Sequence, residues 1–119
     1  MSQVCAISIY VTSLDEGAKF YSEVMGMKIK DKNPYVVQLQ HDGVDIVLCP
    51  AEKSTQSNYP QSCGVVLGFM TPNLAESIRT MKSKKVKLLH DAPQEFPVGH
   101  YVAFQDPFGN VHELLEFNK

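Results

Sequence analysis

Seven side chains have the types and strand positions to meet a small molecule. Tyr10 and Tyr101 each carry a large flat ring and a hydroxyl, suited to stacking on a planar compound. Gln38, Gln40 and Gln105 each supply donors and an acceptor for a polar rim. Met70 falls on the same side of its strand as these groups by alternation. Glu113 can balance a cationic ligand, or act as a general base where its surroundings raise its proton affinity. Val111 and Leu115 share its side of the strand, which leaves the carboxylate conspicuous. A mostly apolar face with a few convergent polar groups is the usual make-up of a small-molecule site.

The elements that must position these residues occur twice. Val4 to Val11 alternates, with Cys5, Ile7, Ile9 and Val11 on one side and Ala6, Ser8 and Tyr10 on the other. Ser13 followed by Glu16 forms a capping box, and Leu14, Ala18, Tyr21 and Met25 make an apolar helical stripe that Gly26 closes. Strands are predicted near 27–31, 35–41 and 44–49, the last two joined by a hairpin at Asp42-Gly43. After a polar stretch, Gly64 to Met70 repeats the first strand, and Asn73 with Glu76 repeats the capping box. Leu74, Ile78 and Met81 give the second stripe, with strands near 86–90, 99–105 and 111–117. Each half therefore reads strand, helix, strand, strand, strand. The expected fold is α+β: two tandem βαβββ modules whose mixed sheets form a concave, partly closed cleft. One domain over 1–119 would comprise modules at 1–51 and 63–119 and a linker at 52–62. Neither half alone buries enough apolar surface to be stable.

Composition narrows the function. With 119 residues, 44% hydrophobic and 20% charged, the chain is an ordinary globular one. A formal charge of -2 excludes the basic footprint of a nucleic-acid binder. The cluster Lys82, Lys84, Lys85 and Lys87 sits at a helix end, where cations complement the dipole. No apolar run approaches a membrane span and no signal peptide is visible, so a cytoplasmic protein without membrane partners is expected. Cys5, Cys49 and Cys63 are odd in number and fall in or beside apolar runs, which fits reduced thiols.

The duplicated unit, with Phe20-Tyr21 and Met25-Gly26 in the first helix and the turn Asp106-Pro107-x-Gly109-Asn110, resembles the vicinal oxygen chelate superfamily. That superfamily includes glyoxalase I, fosfomycin-resistance enzymes, extradiol dioxygenases and bleomycin-resistance binding proteins. The resemblance implies that metal-using relatives draw His, Gln or Glu ligands from the first and last strands of each module. The matching first-strand positions here are Ala6 and Val66, and the last-strand positions are Val47 and Glu113. Three of the four are apolar and donate nothing to a hard divalent ion, so no metal or other cofactor is expected. His41, His90, His100 and His112 read as surface or satisfied-edge histidines, His112 pointing away from the face of Glu113.

Three functions follow from the resemblance. The first is a non-catalytic protein of the bleomycin-resistance kind, binding a planar or cationic molecule in an apolar cleft without metal. A second is a metal-dependent lyase, isomerase or thiol transferase of the glyoxalase I or fosfomycin-resistance type. The third is an accessory or regulatory subunit with a vestigial cleft. The resemblance also implies a homodimer.

Overall fold

Both helices begin where a side chain can take the first free N–H groups. Ser13 Oγ accepts from the Glu16 N–H at 3.1 Å, and Asn73 Oδ1 accepts from the Glu76 N–H at 3.0 Å. These caps satisfy donors that have no partner within the first turn. The computed structural model describes residues 2–119. The first series of elements is β1 (Ala6–Val11), α1 (Leu14–Lys19) running into a π turn (Phe20–Val24), β2 (Ile29–Lys32), β3 (Val37–Leu39) and β4 (Asp45–Pro50). The second is β5 (Leu67–Met70), α2 (Leu74–Ser83), β6 (Lys87–Leu88), β7 (Gln94–Phe96), β8 (Gly99–Gln105) and β9 (Val111–Phe117). The chain divides into two compact units, one ending at Thr55 and the other running from Gln56 to Lys119. The fold is α+β, with one mixed sheet and one helical segment in each unit.

The first sheet has the order β1-β4-β3-β2, with β1 parallel to β4 and the remaining pairs antiparallel. The second has the order β5-β9-β8-β6, with β5 parallel to β9 and β7 also paired to β8. The registers make the duplication explicit. Ser8 lies opposite Val47, which lies opposite Gln38. Gly68 lies opposite Glu113, which lies opposite Ala103. Ser8 and Gly68 stand at the same distance ahead of Leu14 and Leu74, so Val47 and Glu113 are equivalent positions in the two modules.

Alternation sets the cores. Ile9, Val11, Val37, Leu39, Ile46 and Leu48 are buried in the first unit together with Phe20 and Tyr21. Val102, Phe104 and Leu114 are buried in the second with Leu74, Met81 and Phe108. Phe20 and Tyr21 are sequence neighbours, which a regular helix would aim apart. The Met25 N–H reaches back to the Phe20 carbonyl at 3.2 Å, and the wider turn accompanies burial of both rings, packed edge to face at 5.0 Å. Gly26 then ends the segment at φ +73°, a conformation that disfavours side chains.

Three expectations are corrected. The strand predicted from Gly64 begins at Leu67, because Gly64 sits at φ +65° and breaks the extended run. Val65, within the predicted strand, is consequently 90% exposed. The stretch 91–98, where no strand is predicted, contains β7, which pairs Gln94 with Tyr101 and Phe96 with Gly99. Phe96 packs edge to face on Tyr101 and Phe117, both at 5.9 Å, and this cross-strand aromatic packing supports the short strand. His112 is buried rather than superficial, at 3% exposure, with its ring against Phe69 at 5.3 Å and Phe104 at 5.5 Å. Burial pushes its proton affinity down to a pKa of about 4, against the pull of Asp106.

The Asp106 to Asn110 turn is structural. Asp106 Oδ1 accepts from the N–H groups of Phe108 and Asn110, both at 2.9 Å, and its Oδ2 accepts from the Asn110 side-chain amide at 2.8 Å. The buried carboxylate thus satisfies the donors that a tight turn would otherwise strand.

Candidate functional site

β9 presents its residues alternately to two environments. Glu116 reaches α2, where its carboxylate accepts from the Leu74 N–H at 2.5 Å, and Leu114 is buried on that same side. Glu113 therefore faces away from α2. Its neighbours across the sheet are Gly68 and Ala103, and the Leu115 side chain reaches over Gly68. The next row along the same face is Met70, Leu115 and Tyr101.

The edge of β8 is completed by a side chain. β6 ends at Leu88, and the Leu89 N–H still reaches the Ala103 carbonyl at 2.8 Å. The Ala103 N–H, left without a strand partner there, donates to His90 Nδ1 at 3.1 Å. His90 Nδ1 is thereby an acceptor, and the neutral ring carries its proton on Nε2. The His90 ring stands edge-on to Tyr101 at 5.6 Å and to Tyr59 at 5.7 Å.

Tyr59 closes this arrangement. Asn58 and Ser62 exchange backbone hydrogen bonds of 3.0 and 2.6 Å, and the turn between them aims the Tyr59 ring at the sheet. Its hydroxyl donates to Glu113 Oε2, and Tyr101 lies near enough to influence its proton affinity. Burial first, and then the Glu113 and Tyr101 contacts, raise its pKa above the ordinary phenol range. The group is thus a donor and not a base at any ordinary pH. The cluster offers one carboxylate acceptor, two hydroxyls, one imidazole and three ring faces or edges.

Of the residues expected at the site, Tyr101 and Glu113 are brought together through Tyr59. Gln105 lies half-buried on the same face of β8, opposite Val111, and Met70 ends β5 at 79% exposure. Tyr10, Gln38 and Gln40 belong to the first unit. Tyr10 lies on the face of β1 away from α1 and is 53% exposed, Gln38 is half-buried opposite Val47, and the exposed Gln40 donates its backbone N–H to the Lys28 carbonyl at 2.8 Å. Sequence reasoning missed Tyr59, and it read His90 as a surface or satisfied-edge histidine, which matches its place at the edge of β8 but not its packing against Tyr59 and Tyr101. A tyrosine within an otherwise polar stretch is the one signal that marks the first, and no local signal marks the second.

The donor set bears on metal binding. Within the rows just described, the first unit places Ser8 beside Val47 and the second places Gly68 beside Glu113. A hard divalent ion requires several oxygen or nitrogen ligands, and Glu113 is the single strong one at these positions. Among the described residues, no three His, Cys, Asp or Glu side chains gather as a metal-binding group.

The model of the Glyoxalase/Bleomycin resistance protein/Dioxygenase superfamily matches residues 3–114. The chain belongs to that superfamily. Among solved members of comparable fold is the genomically encoded fosfomycin resistance protein FosX from Listeria monocytogenes, at 15% identity and a TM-score of 0.80, covering 99% of this chain and 95% of that one. Lactoylglutathione lyase from Agrobacterium tumefaciens aligns at 21% identity and a TM-score of 0.72, over 98% and 94% of the two chains. TnmS3, an antibiotic binding protein from Streptomyces sp. CB03234, aligns at 22% identity and 0.72, over 99% and 98%. Curated protein sequences give no match. For this superfamily member the neighbours establish the fold, and the chemistry must be argued from its own side chains. No helix among the described residues is long and apolar enough to cross a membrane.

Proposed function

We propose that this superfamily member binds a small planar or cationic molecule on the second sheet, at the face of Glu113, without a catalytic metal. The observation that carries the reading is the grouping of Tyr59, His90 and Tyr101 around Glu113, with rings edge-on to one another and one hydroxyl on the carboxylate. Aromatic walls supply contact area, and a single carboxylate fixes orientation. The donor set supports binding over metal chemistry, since Ala6, Val47 and Val66 occupy the positions that relatives use for ligands. A neighbour described as an antibiotic binding protein, TnmS3, is in keeping with a sequestering role.

The test combines metal analysis of protein purified without chelator with fluorescence titration of its tyrosines against a panel of flat aromatic compounds. Saturable quenching that survives chelator and weakens in Glu113→Gln is expected. A stoichiometric divalent ion, whose removal abolishes binding, would replace this reading by that of a metal-dependent lyase or transferase.

A further inference from the structure

Tyr59 occupies the site and is itself a small aromatic molecule on a tether. Its turn lies outside both the sheet and the helix, and Asn58, Pro60, Gln61 and Ser62 are all exposed. From this exposed turn the phenol points inward, with its ring against His90 and its hydroxyl on Glu113. A contact made by a side chain from an exposed surface turn can also be made by a free molecule of the same chemistry. We infer that Tyr59 holds the place of the ligand: the site takes a planar phenol, which displaces the Tyr59 hydroxyl from Glu113. This rests on the reading of the face as a small-molecule site.

Two observations support a hydroxylated aromatic over flat compounds without a donor. Glu113 is half-buried and engaged, and displacing its donor without replacing it would leave a carboxylate unsatisfied. A phenol brings an O–H that restores that bond in the geometry Tyr59 uses, and a ring with no donor cannot restore it. The pocket walls already fit a phenol ring, as Tyr59 demonstrates edge-on to His90. Competition between tether and ligand lowers the apparent affinity by the fraction of time the site stands open.

The experiment uses the full chain labelled with nitrogen-15, titrated with 2-naphthol and, separately, with 2-methoxynaphthalene, which has the same rings and no O–H. In the wild-type protein, 2-naphthol is expected to shift the amides of Ala103 and Glu113 and to release the exchange protection of Asn58 and Ser62. Tyr59→Ala should bind 2-naphthol about tenfold tighter or more, since the competitor is gone. Tyr59→Phe, which keeps the ring packed on His90, should shift in the same direction by less and guards against loss of the fold. Equal affinity for 2-methoxynaphthalene would overturn the phenol requirement while leaving the face a small-molecule site. Unchanged or weaker 2-naphthol binding in both variants would overturn displacement. If neither naphthalene nor any other flat compound perturbs these amides in wild type or variant, the site reading fails with it.

Discussion

The Tyr59 hydroxyl donates to the Glu113 carboxylate although the two residues are 54 positions apart in the chain. The bond ties an exposed turn to the middle of β9, and it makes one of the five tyrosines chemically distinct. Because burial and the neighbouring carboxylate both disfavour the phenolate, Tyr59 holds its proton above the ordinary phenol range. Spectrophotometric titration of phenolate absorbance should show a component above the ordinary phenol range, and Tyr59→Phe should diminish it. The same variant should lower stability in urea by about 1 kcal/mol, the usual net value of one hydrogen bond.

His112 gives the fold a pH dependence of definite sign. Its pKa falls from 6.5 in the unfolded chain to about 4 when folded, so between those values the unfolded state binds the extra proton. Stability is therefore at its full value above about pH 6.5 and declines as pH falls towards 4. A shift of this size corresponds to roughly 3 kcal/mol at its lower limit. Urea midpoints measured between pH 7.5 and 4.5 should show the decline, and His112→Phe should flatten it.

The Asp106 carboxylate accepts three hydrogen bonds inside its own turn. Asp106→Ala leaves the Phe108 N–H in a buried setting with no acceptor, and should cost about 3 kcal/mol. Thermal unfolding followed by circular dichroism measures the loss. Asp106→Asn, which keeps the Oδ1 acceptor, should cost less.

Gly99 tolerates no side chain. A methyl group at its position would lie 2.0 Å from the Glu116 carbonyl oxygen and 3.0 Å from Phe117 Cα. Backbone cannot yield as a side chain can, so Gly99→Ala should cost about 3 kcal/mol or more and disturb the pairing of β8 with β9. Gly68→Ala meets instead the end of the Leu115 side chain, at 2.7 Å, and should be the milder of the two. Chemical denaturation of the pair decides the ranking.

What could be read from the sequence was what is local. Capping by Ser13 and Asn73, the glycine that ends the first helical segment, and the span of β8 and β9 all follow from spacing and residue type within a few positions. The equivalence of Val47 with Glu113 was legible because duplication supplies its own alignment, and the strand registers agree with it. Tyr59 and His90 were not legible. Each is placed by a partner far along the chain, Glu113 for one and the Ala103 N–H for the other, and no periodicity runs through their segments. His112 was misjudged because alternation tells which side a residue faces but not that Phe69 and Phe104 will enclose it there. β7 escaped notice since three residues are too few to show a pattern.

The β8–β9 hairpin is fastened at both ends, by the Asp106 carboxylate at the turn and by the close backbone approach at Gly99. A ladder pinned this way cannot slide by one step, whatever stands between the pins. Tyr101, Gln105, Glu113 and Leu115 are therefore free to be exchanged over evolutionary time with no risk of turning inside out, so a lineage can rewrite what this surface recognises while inheriting its geometry intact.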